Sequence, residues 1–528
     1  MRFYLARTGR KRASRLTAYT GFTSGEELEQ IPEELLTMST ILPGEGTPAF
    51  DEMIKRFNTI KEDNESYRVR TSLDLSYEIV KGLKLKSSVA LDFTQQNQNL
   101  FLPSDLDEYG KSYSSGQIER NLTLINENLL TYRHTFVEKH TLDFLLGLSV
   151  QEDERNSIGT WGKDSPSDLI HYISWFGNVY NVDENRALKD GTTGREVSTS
   201  VGVFGRLNYN YLERYFLSVT LRRDASSKFG ENVRWGTFPS YAVAWTFSEE
   251  PFMDWSRGVL DHGKLRVSYG KSGKQFDQPY IAQGSFSPGD PYLGNPTIHP
   301  DLSRGSSNKY LTWEETGQYD FGLDLDFFDH RFGVVLDYYY RYTDKLLYPV
   351  MLPGNYSAFN RQWRNAYAIS NEGIELEVKW NAIRNEKLNW NISFNIARNW
   401  NRLEKSENKR DFLTEDNTTN LNIIGKALNG LYVLKTGGIY NDNKEVPRMF
   451  INGKDTPLAG NGNTQHYRAG DRVVYDVNGD GVVNSDDRVY AGAPAPVAQG
   501  GIVTTLEWKG FDLNVLFNFV ISRHILNA

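Results

Sequence analysis

Strict alternation of apolar and polar residues, repeated along most of the chain, constrains the fold more than any other feature of this sequence. Ile374, Leu376, Val378 and Trp380 interleave with Glu375, Glu377 and Lys379, and Leu388, Trp390, Ile392, Phe394 and Ile396 with Asn389, Asn391, Ser393 and Asn395. Tyr319, Phe321, Leu323, Leu325 and Phe327 alternate with Asp320, Gly322, Asp324 and Asp326. Phe511, Leu513, Val515, Phe517, Phe519 and Ile521 are offset by Asp512, Asn514 and Asn518. Successive side chains of a strand point to opposite faces, so each run is a strand with one apolar and one wet face. About fifteen are expected, near 12–22, 67–79, 83–95, 119–135, 139–152, 197–211, 215–225, 238–249, 262–272, 315–328, 331–344, 370–381, 387–400, 500–508 and 511–521. Most run to about ten residues or more, whereas ordinary globular strands average about five or six and a tilted bilayer-crossing strand needs about 9–11. The expected fold class is all-β, a transmembrane antiparallel β-barrel.

The connections support that expectation. Short turns fall at Lys81-Gly82, Val137-Glu138-Lys139, Leu212-Glu213-Arg214, Asp329-His330 and Lys509-Gly510, and long polar loops at 23–66, 96–118, 153–196, 273–314, 345–369 and 401–499. If the first strand rises from the periplasm, every long loop lands outside and every tight turn inside, the asymmetry of outer-membrane barrels. The connection 250–261 is the one longer inside link. Aromatic residues within strands or at their ends (Tyr209, Tyr211, Tyr215, Phe216, Trp245, Tyr338, Tyr340, Tyr342, Trp380, Trp390 and Trp508) suit interfacial girdles.

Composition removes several function classes. With no cysteine there is no disulfide scaffold, thiol nucleophile, Cys-based zinc site or iron–sulfur cluster. A net charge of −8 gives no footprint for nucleic acid. No apolar stretch approaches the roughly 18–20 residues of a membrane-crossing helix, and the first residues lack the apolar core of a secretory signal.

Several segments then resemble one family. Arg222-Arg223-Asp224-Ala225-Ser226-Ser227-Lys228-Phe229-Gly230 stands between 205–216 and Trp235-Gly236-Thr237-Phe238-Pro239-Ser240, followed by Ala244-Trp245 and Glu249-Glu250-Pro251-Phe252-Met253. Further on come Leu265-Arg266-Val267-Ser268-Tyr269-Gly270-Lys271-Ser272-Gly273, Leu311-Thr312-Trp313-Glu314-Glu315-Thr316, Asn371-Glu372-Gly373-Ile374-Glu375 and Asp476-Val477-Asn478-Gly479-Asp480-Gly481. In this order, over about 65–528, they resemble the SusC/RagA-type TonB-linked outer-membrane proteins. The resemblance implies a 22-stranded barrel whose lumen needs a plug. It also implies an importer of oligosaccharides or, second, peptides, capped by a SusD-like surface lipoprotein and energised by TonB-ExbB-ExbD through the plug. The expected organisation is a first strand within 1–22, an extracellular loop at 23–66 and barrel over 67–528. Residues 1–22 show no plug or TonB-box pattern, and the chain ends at Asn527-Ala528 without the usual terminal aromatic strand. A barrel fragment of about fifteen strands is therefore expected, short of the family's 22.

The sharpest local motif is Asp476, Asn478, Asp480, Gly481, Val482 and Asp487, which matches the spacing of a calcium loop: side-chain oxygens at positions 1, 3 and 5, glycine at 6, a backbone carbonyl at 7 and a carboxylate at 12. Asp487 replaces the longer Glu and no helices flank the motif, so an Asx-rich turn competes with a Ca2+ site; no cofactor is required. Gly258 to Gly263-Lys264 imitates a phosphate loop but continues into Leu265 and a strand, against nucleotide binding. The histidines show no ligand spacing, and the pairs Glu249-Glu250 and Glu314-Glu315 read as structural rather than hydrolytic. No enzyme is expected. Cargo contacts are assigned to Phe286, Tyr292, Trp363 and Tyr367 as stacking platforms in loops, and to lumen-facing Asn389 and Asn391, with Asn395, Glu375 and Glu377 beside them. The expected function is import of large nutrients across the outer membrane, oligosaccharide before peptide. The competing readings are a passive channel or adhesin on the same barrel, and a secreted glycan hydrolase.

Overall fold

The structure is a computed structural model. It describes residues 2–10 and, apart from short stretches (107–109, 172–179, 182–185, 188, 278, 285, 294, 303–304, 353–358, 360, 408, 410–411, 415–416, 452–453 and 461–465), residues 60–525. Fifteen strands form one sheet in which each pairs with its neighbour in sequence. They are β1 (Arg2–Arg10), β2 (Lys61–Val80), β3 (Leu83–Leu102), β4 (Tyr113–Phe136), β5 (His140–Lys163), β6 (Lys189–Tyr211), β7 (Tyr215–Ser226) and β8 (Trp235–Thr246). The rest are β9 (Leu260–Lys274), β10 (Glu314–Phe327), β11 (Phe332–Met351), β12 (Arg361–Arg384), β13 (Leu388–Lys405), β14 (Ala498–Trp508) and β15 (Phe511–Ile521). The expected strand near 12–22 lies outside the described residues; within them the sheet begins at β1, paired with β2 from Arg2 opposite Ser72 to Arg10 opposite Asn64.

Many strands outrun their apolar pattern. β2 and β3 have 20 residues each, and β4, β5 and β12 have 24. In β3 the alternation stops at Phe93, yet the polar run 94–99 stays paired with both β2 and β4 before Leu100, Phe101 and Leu102 end the strand. Beyond a bilayer both faces of a strand are wet, so alternation ends while backbone groups still gain from pairing. The expected loops 96–118, 153–196 and 345–369 accordingly shorten to 103–112, 164–188 and 352–360.

The tight turns all lie at one end of the sheet. Trp508 faces Phe511 across Lys509 (φ 48°) and Gly510 (φ 88°), a two-residue turn of the primed type that matches strand twist. Gly82 (φ 87°) serves the first turn, where a Cβ would sit 2.4 Å from the carbonyl oxygen of Arg133. The longer inside link holds two short 3-10 helices, Phe247–Glu249 and Pro251–Ser256.

The two faces separate cleanly. Leu217, Val243, Val267, Phe321, Tyr338 and Ile374 lie opposite one another across β7 to β12. One residue along, the row reads Ser218, Ala242, Ser268, Asp320, Tyr339 and Gly373. The apolar row is half exposed, with Val243 at 54% and Phe321 at 48%. A soluble core would enclose these side chains; a lipid-facing wall presents them outward. The wet row therefore faces the lumen.

Aromatic girdles form at both levels. Tyr209, Tyr211, Tyr215, Trp245, Trp380 and Trp508 stand on the apolar face near the tight turns. Tyr241, Tyr269, Tyr319 and Tyr340 form a row on the loop side, with Tyr269 and Tyr319 rings 4.6 Å apart. Phe216 departs from the girdle expectation. It lies one position out of phase with Tyr215, opposite Ala244 on the lumenal face, with the Lys264 ammonium 4.6 Å above its ring.

Candidate functional site

The lumenal residues expected on β12 and β13 sit in register with other polar groups. Asn389 donates to Glu507 Oε2 at 3.2 Å, and Asn391 lies opposite Asn381 and Thr505. Asn395 faces Glu377, which pairs with Lys379 at 2.9 Å, and Glu375 faces Asp337. At the level of Glu375, Arg266 bridges Asp324 (2.7 Å) and Asp337 (2.9 Å). This wall offers hydrogen-bonding groups throughout, the lining a polar solute needs.

The four loop aromatics divide. Phe286 and Tyr292 stand on a hairpin formed by Phe286–Tyr292 and Asn295–Pro300 and are both 71% exposed. Trp363 and Tyr367 belong to β12 instead. Trp363 packs against a buried cluster, and Tyr367 meets Tyr348 edge-on at 4.6 Å. The first two present exposed rings, whereas the second two are engaged in packing.

That cluster anchors the outside of the molecule, and the alternation gave no sign of it because its members come from loops and strand ends. Phe229, Phe238, Phe276, Ile281, Ala282, Leu311 and Trp313 are buried together. Gly236 and Gly273 leave room for the Phe238 ring, which lies 2.3 Å and 2.1 Å from where their Cβ atoms would be. Polar staples complete the clasp. Asn365 accepts from the Thr312 amide (2.9 Å) and donates to the carbonyls of Thr312 and Lys345, while Trp313 Nε1 donates to the Arg234 carbonyl at 2.9 Å. The aromatic-Gly spacing of Phe229-Gly230 and Gly236-Thr237-Phe238 was the available sequence signal.

The expected loop 401–499 spans 406–497 and carries a small core of its own, Tyr440, Val446, Leu458 and Val483. Here the Asp476–Asp487 motif folds as interlocking Asx turns. Asp476 accepts from the amides of Gly479 (2.7 Å) and Gly481 (2.8 Å), Asn478 from Asp480 (2.9 Å), and Asp480 from Val482 (2.8 Å). Asp487 is fully enclosed and takes the amides of Val477 (2.7 Å), Asn478 (3.2 Å) and Asn484 (2.9 Å). Burial pushes its carboxyl up, but these amides outweigh burial and hold it below the ordinary value of 3.8. The spacing fits a cation, yet both oxygens of the position-12 carboxylate are already occupied by backbone. Among the described residues no three carboxylate or imidazole groups gather as a metal site.

The other motifs resolve into structure. Glu314 caps the Leu347 amide at 2.8 Å, Glu315 pairs with Lys271 (2.5 Å) and Lys345 (2.7 Å), and Glu250 accepts from Trp245 Nε1 at 3.2 Å. Gly258 lies in a turn and Lys264 in β9, so that segment has no helix terminus to hold a phosphate.

Comparison with known proteins agrees with this architecture. The family model described as TonB dependent receptor-like, beta-barrel matches residues 13–512. TonB-dependent receptor P39 of Formosa agariphila is 29% identical over 495 residues, covering 88% of this chain and 46% of its own length. TonB-dependent receptor SusC of Bacteroides thetaiotaomicron is 25% identical over 488 residues, covering 88% and 44%. The RagAB peptide importer in its closed–closed state superposes with a TM-score of 0.73 at 22% identity, over 88% of this chain and 49% of that one. The chain thus spans about half the length of the relatives it matches.

Proposed function

Because this chain belongs to the TonB dependent receptor-like β-barrel family, whose members lie in the outer membrane, we propose that it forms barrel wall and outer loops of an importer for large polar nutrients. The observation that carries this reading is the pair of adjacent rows, one apolar and half exposed, the other polar and facing inward. Such a wall isolates a wet path from lipid. In this reading a SusD-like lipoprotein covers the loop end, and TonB-ExbB-ExbD supplies the energy through a plug. SusC of Bacteroides and the RagAB importer are the relatives that favour this arrangement.

Oligosaccharide is the cargo favoured by the exposed rings of Phe286 and Tyr292, since an aromatic face stacks on the apolar face of a sugar. Peptide is the second reading, favoured by the charged lumenal groups. Deleting the gene tests the importer: growth on an oligomeric nutrient is expected to fail while growth on its monomers persists. Unchanged growth on every oligomer tested would overturn it. For the Asp476–Asp487 loop we propose a turn closed by its own backbone, with calcium as the alternative. Calorimetric titration of calcium into chelator-treated protein separates the two, because a binding isotherm lost in Asp480→Ala would establish the cation.

A further inference from the structure

The link between β8 and β9 folds back over the outer side of the wall. The Phe247 ring lies over Gly263, where a Cβ would sit 2.5 Å from it, and Gly263 shares the phase of Leu265 and Val267 on the apolar face. Trp245, a girdle residue of the same face, has the Phe247 and Phe252 rings 5.9 Å and 6.1 Å from its own. Glu250 fastens the link to this girdle. It is buried, accepts from Trp245 Nε1 at 3.2 Å and pairs with Arg214 at 3.7 Å.

A 3-10 helix has three residues per turn, so side chains three apart eclipse one another. Pro251–Ser256 therefore presents three distinct faces. Met253 and Ser256 form the inner one; Ser256 is buried, and its hydroxyl donates to the Met253 carbonyl at 2.7 Å. Asp254 and the following Arg257 form a polar one, paired with each other at 2.7 Å. Phe252 and Trp255 form the third, which is apolar and stands 59% and 80% exposed. Because Phe252 lies beside Trp245, this third face continues the lipid-side girdle beyond the last strand residue.

We propose that this link is a membrane foot, with Phe252 and Trp255 seated between the headgroups and acyl chains of the leaflet at the tight-turn end. An indole suits that boundary, since its body is apolar and its N–H is polar. The charges of the link point to the same occupant. Asp254 is met by Arg257 and Glu250 by Arg214, which leaves Glu249 as the one charge of the link without an ion pair among the described residues. The pull on this face is therefore apolar rather than electrostatic, as for a segment lying in the plane of an interface. The foot fixes the depth of β8 and β9 in the bilayer. It rests on the apolar row facing lipid, and adds a lipid contact made by a connecting segment instead of a strand.

The chain has no cysteine, so nitroxide labels can be placed one at a time. Phe252→Cys and Trp255→Cys, each keeping the other aromatic, and Asp254→Cys on the polar face are labelled and reconstituted into phosphatidylethanolamine–phosphatidylglycerol vesicles. Collision of each label with oxygen, which partitions into lipid, is compared with collision with a water-soluble nickel chelate. Labels at 252 and 255 are expected to favour oxygen several-fold more than the label at 254. Equal ratios at the three positions would overturn the foot and leave its apolar face to a soluble partner. The two aromatic positions are read in separate proteins, so a folding failure in one leaves the other to decide. Leu376→Cys reads the wall itself. A label there in lipid, with 252 and 255 in water, removes the foot alone, whereas a label there in water removes the wall reading with it.

Discussion

The indole of Trp313 meets the ring of Phe238 edge-on, with centroids 5.4 Å apart and planes at 70°. The first residue ends the loop that follows β9, and the second belongs to β8, so this contact fixes the loop to the barrel wall. Trp313 also contacts Phe229 at 4.5 Å and gives its indole N–H to Arg234. Trp313→Ala is expected to cost about 3–5 kcal/mol locally, through lost burial and an orphaned carbonyl. Limited proteolysis checks it: cleavage within 275–313 should accelerate while the sheet resists. Unchanged cleavage there would show that the polar staples alone hold the loop.

The strands that cross the bilayer were legible because lipid on one side and water on the other impose period two, as in Ile374 to Trp380. Where both sides are wet, as at 94–99 of β3, the same strand carries no period, and its length showed only through pairing. The phase of an aromatic was also hidden at a turn. Tyr215 and Phe216 are neighbours in one run, and register alone sends Phe216 inward. The loop core, hinted at only by its aromatic-Gly spacing, was hidden for a different reason. Phe229, Phe276 and Leu311 are far apart in sequence and meet through tertiary packing, without any repeat to betray them.

Adjacent residues of β12 give a direct test of which face meets lipid. Leu376 lies between Leu336 and Ile396 on the apolar row, and Glu375 lies between Asp337 and Ala397 on the polar one. Leu376→Arg should cost about 2–4 kcal/mol in folding titrations into lipid bilayers if it sits near the midplane. Glu375→Arg should be close to neutral, since its neighbour Asp337 welcomes a cation. Equal costs would contradict the assignment of faces.

The first tight turn depends on glycine twice over. Gly82 holds φ at 87°, and its missing Cβ leaves space for the Arg133 carbonyl. Gly82→Ala is expected to destabilise by about 1–3 kcal/mol from the backbone conformation alone, with the steric contact adding to it. Gly510→Ala has the same kind of φ, 88°, but nothing within 4 Å of the new Cβ, so it should cost less. Urea titrations of the two variants provide the comparison, and the order of the two midpoints is the result to read.

Acid should loosen the 406–497 loop through Asp487 before it affects the sheet. Its carboxyl titrates below 3.8 in the folded loop because the amides of Asn484, Asn478 and Val477 together outweigh the cost of burial. A group whose folded value lies below its unfolded one stabilises the fold above the unfolded value, and that stability is lost as the pH falls through 3.8 towards the folded value. Protection of residues 476–487 from hydrogen exchange, corrected for the intrinsic rate, should therefore hold at pH 6 and fall on acidification across the region below about pH 4. Asp487→Asn removes the charge and, with its oxygen left on the Val477 and Asn478 amides, turns its NH2 group toward the Asn484 N–H, at a cost of about 1–3 kcal/mol. Its protection should be weaker at pH 6 and nearly flat with pH. If the variant lost protection on acidification as steeply as the parent, the acid response would belong to another carboxylate.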